Sequence, residues 1–381
     1  MKKRVLFLTG TRADFGKLKP LIEAAAASHA LAPHIFATGM HTLARYGATY
    51  EEIRKCGFEN IFLHINQMAD HSGAMDLVLA RTVDGLSHYL REFRPDLIVV
   101  HGDRVETLAG AITGALNNIL VAHVEGGELS GTVDELLRHA ATKLAHYHFV
   151  ANGQARCRLL QMGESGRSIY VIGSPDVDVM LSGALPTLNQ AKARYEIPFE
   201  DYAILAYHPV TTEIAGTRAH ARALANAVRA SGWNFVGVYP NNDLGANVIL
   251  EELAALEGNP RFRFFPSLRF EYFLTLLKHA RAIVGNSSAG VREAPVYGVP
   301  AVNIGSRQHR RYRYATIVDV PDDEPAILEA MRHLPPRGAP SRDFGDGQSA
   351  RRFREVLERP EFWTRPVQKQ FEDLPLAAAA S

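Results

Sequence analysis

The sequence predicts an α/β protein with two doubly wound domains, and three observations lead to this fold class. Its 381 residues correspond to two domains, because a typical domain contains roughly 150 residues. Short apolar runs alternate along almost the whole chain with segments whose apolar residues recur at helical spacing. Most of these runs are apolar on both faces, which is typical of parallel strands covered by helices on either side.

The predicted first domain covers residues 1–175 and contains seven candidate strands. They lie at residues 5–9, 34–37, 61–65, 97–101, 120–124, 148–151 and 169–172. Helical spacing appears between them at residues 18–27, 75–93, 106–117, 135–145 and 155–162. This regular alternation of strands and helices predicts a doubly wound, Rossmann-like sheet.

The same alternation restarts in the predicted second domain, residues 176–365, after breaks at residues 173–175 and 182–186. Candidate strands lie at 203–207, 235–239, 263–265, 282–285 and 301–304, and candidate helices at 218–230, 246–256, 270–279 and 290–296. A last helix at 350–358 is expected to pack back on the first domain, and residues 366–381 form a predicted tail with a frayed, Ala-rich end. Two similar domains in tandem predict a ligand in the cleft between them.

Composition and charge exclude several classes of protein. The chain has 42 Lys and Arg against 41 Asp and Glu, whereas a generic nucleic-acid binder needs a large basic surplus. No run approaches about 18 consecutive apolar residues, so no membrane-spanning segment is expected. The apolar run after the basic start ends at Thr9, which is too short for a signal peptide. Because Cys56 and Cys157 are the only cysteines, a reducing, cytoplasmic location is expected.

The turn after the first strand is a candidate anion site. It does not fit a P-loop, because five residues separate Gly10 from Gly16 and Leu18 follows Lys17. It does provide a glycine-containing turn into a helix, with Arg12 and Lys17 beside free backbone N–H groups. Both basic side chains are therefore candidate nucleotide contacts. The alternative is an ordinary strand-to-helix turn.

Three acidic residues are predicted to meet at the carboxyl edge of the first sheet. Asp103 follows the strand at 97–101, Glu125 ends the next strand, and Asp134 starts a helix. Carboxylates that share a cleft push their pKa values apart, which supplies an acid and a base near neutral pH. Taken singly, Asp103 has the simpler interpretation of a helix N-cap.

Basic residues accompany these carboxylates. Arg138 lies four residues after Asp134 on the same helix face, and a surface salt bridge is the alternative interpretation of that pair. Arg104 and His139 are candidate substrate contacts beside them. Along a helix His139 and His146 would be about 10.5 Å apart, too far for one metal ion. The sequence also has no HExxH or CxxC motif, so no metal and no other cofactor is predicted.

The sharpest motif of the second half is GNSSAGVREAP at residues 285–295. Small residues follow a strand and open a predicted helix, so that backbone N–H groups and two hydroxyls converge. Ser287, Ser288 and Gly290 are therefore candidate contacts of a diphosphate. Glu293, one turn further on, is a good acceptor for a ribose diol. This combination predicts a nucleoside diphosphate ligand.

Two further residues lie at strand ends of the second domain. Arg307 follows the strand at 301–304 and is a candidate phosphate partner. His208 ends the strand at 203–207 and is placed at the edge that faces the predicted cleft. A lone histidine is more often structural, but this location favours a catalytic role.

The motifs resemble those of the hydrolysing UDP-N-acetylglucosamine 2-epimerases, which serve the synthesis of sialic acid and related nonulosonic acids. The matching stretches are TGTRADFGKLKP, HGDRVETLAGA, HVEGGELSGTVDELLRHAATKLAHYHFVAN, HPVTT, PNNDLG and GNSSAGVREAPVYGVPAVNIGSRQ. They extend from Thr9 to about Gln308, so the resemblance covers most of the chain. It implies a GT-B-type arrangement of two domains around a cleft, and assembly into a homodimer or homotetramer.

The resemblance also implies roles for individual residues. Nucleotide contacts are expected from Arg12, Ser287, Ser288, Glu293 and Arg307. Sugar and catalytic contacts are expected from Asp103, Glu125, Asp134, Arg138 and His208. Phe15 and Gly16 stand where many relatives carry Tyr-Ser, so no hydroxyl contact is expected there. Residues 97–124 and 260–273 look more like the legionaminic acid branch, which acts on a nucleotide-linked 2,4-diacetamido-2,4,6-trideoxy sugar; the choice between UDP and GDP stays open.

The chemistry of the substrate restricts the mechanism. The hydrogen on C2 of an N-acetylhexosamine is not acidic, so the anomeric bond to the diphosphate must loosen first. The predicted reaction is elimination of UDP to a 2-acetamidoglucal, followed by hydration that inverts C2 and releases the free sugar. Asp103 and Glu125 are the predicted proton-transfer groups, oriented by Asp134 and Arg138. The alternatives are a GT-B glycosyltransferase, a non-hydrolysing epimerase and a regulatory nucleotide-sugar binding module.

Overall fold

The computed structural model describes residues 2–67 and 74–373, and it contains two parallel sheets. The first consists of β1 Lys3–Thr9, β2 Leu31–Ala37, β3 Ile61–Leu63, β4 Leu97–His101, β5 Leu120–Val124, β6 Tyr147–Val150 and β7 Ile169–Val171. Their order across the sheet is β3-β2-β1-β4-β5-β6-β7. The chain therefore winds outward in both directions from the junction of β1 and β4, which is where ligands bind in such sheets.

Helices cover both faces of the first sheet. They are α1 Arg12–Ala26, α2 Tyr50–Lys55, α3 Met75–Glu92, α4 Val105–Leu116, α5 Val133–Leu144, α6 Gly153–Gln161 and α7 Pro175–Leu181. Successive residues of a strand point to opposite faces. Phe7 of β1 accordingly packs in one apolar cluster with Leu18 of α1, whereas Leu8 packs in another with Leu86 of α3.

The second sheet has six strands in the order β10-β9-β8-β11-β12-β13. They are β8 Ala203–Ala206, β9 Phe235–Val238, β10 Phe262–Phe265, β11 Ile283–Gly285, β12 Ala301–Ile304 and β13 Ile317–Val320. Its helices are α8 Leu188–Tyr195, α9 Thr217–Ala230, α10 Ala246–Ala254, α11 Phe270–His279, α12 Glu293–Val296 and α13 Glu324–Arg332. The two sheets confirm the predicted α/β fold class with two doubly wound units.

Each of the predicted strands has a counterpart, but β13 was not predicted. Its sequence is Ile-Val-Asp-Val, it lies at the edge of the sheet, and its side chains are partly exposed. Asp319 interrupts the apolar run there, so the sequence lacks the continuous apolar signal of a buried strand.

Two helix boundaries differ from the prediction in ways that affect the site. The helix predicted to start at residue 18 begins at Arg12, because the Thr11 side chain caps it by accepting the backbone N–H of Asp14. The helix predicted at 290–296 begins only at Glu293, after a separate 3₁₀ turn at Ser288–Gly290. Since α12 has four residues, the expected attraction of its dipole for a diphosphate is weaker than predicted.

The chain returns to the first domain through α14 Ser349–Leu357. The Phe353 ring of this helix lies 6.2 Å from the Phe7 ring and 4.8 Å from the Phe149 ring, measured between centroids. A short turn that follows stacks Phe362 on Tyr147, with 4.0 Å between ring centroids. The frayed end predicted for the tail, residues 374–381, lies outside the described residues. Across residues 2–67 and 74–373, every helix is too short or too polar to cross a membrane.

Candidate active site

A cleft of about 320 Å³ lies between the carboxyl edges of the two sheets. All five predicted catalytic residues line it: Asp103, Glu125, Asp134, Arg138 and His208. The predicted nucleotide contacts Arg12, Lys17, Ser287, Ser288, Glu293 and Arg307 also line it, as does the predicted substrate contact Arg104. Gly290 instead packs near Ala301 and Ile283, and His139 lies on α5 with Nε2 3.8 Å from a carboxylate oxygen of Glu135. The fold therefore gathers most of the predicted site at one place.

Arg138 pairs with Asp103 and not with Asp134, the partner that its helix spacing indicated. The sequence pairs Arg138 with Asp134 of its own helix, but the Arg138 guanidinium donates to the Asp103 carboxylate and to the Glu128 carbonyl oxygen. Burial would raise the pKa of Asp103, but Arg138, with Arg311 and Arg307 at longer range, lowers it to about 2. Asp103 is thus a fixed, ionised carboxylate.

Asp134 has the opposite shift in pKa. Its carboxylate lies 3.6 Å from the Arg307 guanidinium. Burial and the negative charge of Asp103 nevertheless raise the pKa of Asp134. The two carboxyl groups therefore have separated pKa values within one cleft, as an acid and a base would.

Glu125 is held in an unusual conformation at the end of β5. Its φ is +61°, in the left-handed region that non-glycine residues rarely adopt. The side chain accepts hydrogen bonds from the Ser174 hydroxyl and, at 2.8 Å, from the Arg292 guanidinium. Burial raises the pKa of Glu125, but Arg292, His101 and Lys17 together bring it well below its ordinary value. Glu125 is therefore ionised although only 4% exposed.

Arg292 is the centre of a buried ion network that was not predicted from the sequence. It precedes α12 in the second domain, is 1% exposed, and reaches Glu125 and Glu128 of the first domain. Arg311 also pairs with Glu128, at 3.1 Å. The signal was available: an arginine in the apolar context GVREAPV must be paired if it is buried. Its partners could not be read from the sequence.

Lys17 and Glu293 pair with each other. The Lys17 ammonium is 3.0 Å from Glu293 and 3.1 Å from Asp176 on α7. Burial lowers the pKa of Lys17, but Asp176 and Glu293 outweigh it and raise the pKa above its ordinary value. The second oxygen of Glu293, Oε2, has no hydrogen-bond partner among the described residues, which leaves one acceptor for a ligand.

His208 is neutral, and its hydrogen bonds define the tautomer. The Asn241 backbone N–H donates to its Nδ1 at 3.1 Å, so the ring proton is on Nε2. Burial, then Arg307 and Arg104, lowers the pKa of His208 well below its ordinary value. Asn286 fixes the backbone of His208 by accepting its N–H at 2.7 Å and donating to its carbonyl at 2.8 Å. The residue offers the cleft a neutral N–H donor.

Cations surround the anionic groups of the cleft. Arg12 donates to Ser267 and Glu52 at 2.7 Å each, and so joins the two domains. Arg307 donates to the Asn286 carbonyl at 3.2 Å. Because these guanidinium groups line the same cleft, the site is suited to a ligand with several negative charges.

One group of side chains outside this cleft has the composition of a metal site. Among the described residues, ligand atoms of Glu213, His220 and Asp322 lie within 4.8 Å of one another. Two of the three already accept hydrogen bonds: Glu213 from Ser306 and Asp322 from Tyr207, both at 2.5 Å. His139 and His146 do not belong to this group.

Two facing Rossmann-like domains with a cleft between their carboxyl edges define a GT-B-like fold. Residues 23–358 match the family described as UDP-N-acetylglucosamine 2-epimerase. The chain belongs to that family, and its class of activity is nucleotide-sugar 2-epimerisation.

Comparison with individual proteins agrees with this assignment. A protein of Neisseria meningitidis serogroup B named UDP-N-acetylglucosamine 2-epimerase is 46% identical over 379 residues, 98% of this chain and 100% of that protein. A UDP-N,N'-diacetylbacillosamine 2-epimerase (hydrolyzing) of Legionella pneumophila is 33% identical over 94% of this chain and 96% of its own length.

Solved structures show the same fold. The Methanocaldococcus jannaschii UDP-GlcNAc 2-epimerase in complex with UDP-GlcNAc and UDP superposes with a TM-score of 0.79, covering 93% of this chain and 99% of its own, at 22% identity. The S. aureus MnaA–UDP co-structure has a TM-score of 0.77 at 18% identity and covers 97% of this chain and 100% of its own.

Proposed function

We propose that the protein is a hydrolysing 2-epimerase, which converts UDP-N-acetylglucosamine and water to free N-acetylmannosamine and UDP for nonulosonic acid synthesis. The observation that carries this proposal is the pair Glu125 and Asp134: two carboxyl groups that line one cleft and whose pKa values move in opposite directions. Hydrolysis is supported by the 33% identity to the Legionella relative, whose name specifies it, whereas the name of the 46% identical Neisseria protein does not state the outcome for the nucleotide.

Departure of UDP is the first step of the proposed mechanism. The leaving diphosphate gains negative charge, which Arg307 and Arg12 stabilise from opposite sides of the cleft. Ser287 and Ser288 add hydroxyl groups at the turn after β11. Loss of the C1–O bond gives C1 oxocarbenium character and makes the C2 hydrogen acidic.

A carboxylate then takes the C2 proton, and a 2-acetamidoglucal forms. Glu125, kept ionised in a buried position, is the proposed base. Asp134, whose pKa is raised, is the proposed acid that returns a proton to C2 from the other face as water adds to C1. The added water loses a proton to the Asp134 carboxylate, and Glu125 releases the C2 proton to solvent, so that both groups are restored for the next turnover. Arg138 orients Asp103 in this scheme, because it pairs with Asp103 and not with Asp134.

The substrate of the legionaminic acid branch is a second candidate. The identity to the Legionella diacetylbacillosamine enzyme favours it. The cleft also has apolar lining from Leu268, Phe270 and Phe273, which suits a 6-deoxy sugar whose C6 is a methyl group. Assembly into a homodimer or homotetramer stays a prediction.

Proton NMR in deuterated water with EDTA tests the proposal. UDP-N-acetylglucosamine and the UDP- and GDP-linked diacetylbacillosamines are incubated in parallel, and the fastest reaction identifies the substrate. We expect nucleoside diphosphate and a free manno-configured sugar with deuterium at C2. Intact UDP-N-acetylmannosamine would show a non-hydrolysing enzyme, and no turnover would favour a transferase or a binding module.

A further inference from the structure

His101 lies at the end of β4 between two carboxylates and lines the cleft. Its Nδ1 is 2.7 Å from a carboxylate oxygen of Asp14, and its Nε2 is 3.2 Å from Oε2 of Glu125. The other Asp14 oxygen accepts the Gly10 backbone N–H at 3.1 Å, so Asp14 is itself fixed. Asp14, His101 and Glu125 therefore form a continuous chain from α1 to the end of β5.

The partners of Glu125 divide between its two oxygens. Oε1 accepts hydrogen bonds from Ser174 and Arg292, whereas Oε2 is next to His101. His101 Nε2 is buried and is not aligned for a hydrogen bond with any described residue. The ion pair between His101 and Glu125 is therefore stabilised by the proximity of opposite charges. Oε2 is the oxygen that stays available for a substrate proton.

The charged groups around His101 favour its protonated form. Asp14 of α1 and Glu125 after β5 contact it directly, and Asp103 faces it from the turn after β4. His123 of β5 adds no charge, because burial lowers its pKa to about 3. Burial alone would lower the pKa of His101, but Glu125 and Asp14 raise it to about 10. The imidazolium thus persists at neutral pH.

We propose that His101 is a positioning residue for the Glu125 carboxylate: Asp14 orients the ring, and the ring holds Oε2 ionised beside the cleft. This inference rests on the proposed function, in which Glu125 is the base. In that step, which follows loss of the C1–O bond, the proton moves from C2 of the sugar to Oε2, the C2–H electron pair forms the C1–C2 double bond, and the imidazolium keeps its own protons. His101 acts through Glu125, because it keeps the Glu125 carboxylate ionised and able to accept the C2 proton.

The pH dependence of kcat in the variant His101→Gln tests this role. Glutamine keeps an N–H donor but removes the positive charge, so the pKa of Glu125 rises. Since the base must be ionised, the acid limb of the profile is expected to move up by roughly 1–3 pH units, with KM little changed. Asp14→Asn is expected to move the limb in the same direction by less.

His146→Gln is the matched control. His146 is also a buried histidine of the first domain, but it bonds to Val121 and Val367 and does not line the cleft. We expect its acid limb to stay at the native position, whatever happens to its melting temperature. A uniform loss of kcat in His101→Gln at every pH, without a shift of the limb, would overturn the role of His101.

A second measurement separates this inference from the proposed function. The ring nitrogen resonances of His101, assigned with His101→Gln, report its protonation without any turnover. We expect imidazolium from about pH 6 to 9, even if none of the nucleotide sugars reacts. Loss of the proton near the ordinary histidine value of about 6.5 would overturn the inference and leave the reaction itself untouched.

Discussion

Two of the three predicted site acids on the first-domain side of the cleft lie beside arginines of the second domain, whereas the third pairs within its own domain. Glu125 pairs with Arg292, and Asp134 lies beside Arg307. Asp103 differs, because its partner Arg138 belongs to the same domain. Arginines of the second domain therefore favour the ionised form of all three acids, but only Asp103 has its direct partner in its own domain.

Removing the acid with the raised pKa is expected to have the largest effect. Asp134→Asn keeps the shape of the side chain but cannot carry a proton, so kcat is expected to fall by about 10²–10⁴-fold with little change in KM. The rate at which the free sugar appears, followed by proton NMR, measures it, because Asp134 acts after UDP has left. The control is Glu329→Gln, an exposed acid on α13. A kcat close to that of the native protein would remove Asp134 from the proton transfers.

Arg292→Met removes the cation that joins the two domains through Glu125 and Glu128. It leaves Glu125 and Glu128 buried without their main partner, at an expected cost of about 3–5 kcal/mol in the free energy of unfolding at pH 7. Urea unfolding measures this loss. Arg218→Met on α9 is the control: it removes an exposed arginine paired with Glu251 and Glu252, and no measurable loss is expected.

The loss in Arg292→Met is also expected to depend on pH. In the native protein the pKa of Glu125 is depressed, so its stabilising effect is complete above its unfolded value of about 4.3 and is lost only below that. Without Arg292 the pKa values of Glu125 and Glu128 rise, and protonation relieves the buried charge as the pH falls. The deficit should be larger at pH 7 than at pH 5. Equal losses of unfolding free energy at pH 7 and pH 5 would mean that the unpaired buried charge does not cause the loss.

His208→Ala tests the neutral donor on the second-domain side. Loss of one aligned donor is expected to lower kcat by about 10²-fold. The shape of the pH profile between about pH 5 and 8 should stay the same, because the pKa of His208 already lies well below its ordinary value. If the variant lost a limb of the profile in this range, His208 would be titrating and would not be neutral.

The smallest effect is expected from Gly131→Ala, which alters the contact between the domains without changing any charge. The Gly131 N–H donates to the Arg307 carbonyl at 3.0 Å, and a Cβ at Gly131 would lie 1.8 Å from the Ser306 carbonyl oxygen. The strain is expected to cost about 1–3 kcal/mol of unfolding free energy. Gly153→Ala is the control, because a Cβ there would meet no atom within 4 Å. Gly183 is unsuitable as a control, because its φ of +71° would strain an alanine.

The sequence predicted which residues lie at strand ends but not how they pair. Asp103, Glu125 and His208 follow apolar runs, and parallel strands bring their carboxyl ends to one edge. The contact of Asp14 with His101 could not be predicted, because it requires β1 to neighbour β4 in the sheet. Strand order depends on the packing of the whole domain, and local spacing does not encode it.

Tertiary packing also explains why the partner predicted for Arg138 was wrong. Helical spacing correctly placed Asp134 and Arg138 on neighbouring turns of α5. Arg138 nevertheless points toward the sheet, where the turn after β4 supplies Asp103. A buried guanidinium pairs with the carboxylate that shares its burial, and burial is decided by tertiary structure.

The return of α14 to the first domain has a consequence for synthesis on the ribosome. Phe353 and Phe362 fill the same apolar cluster as Phe7 and Phe149, although more than 300 positions of sequence separate the first of these strands from the helix. A nascent chain that has released residues 1–175 therefore still lacks part of that core. The first domain to be translated is completed only after the second domain has left the exit tunnel.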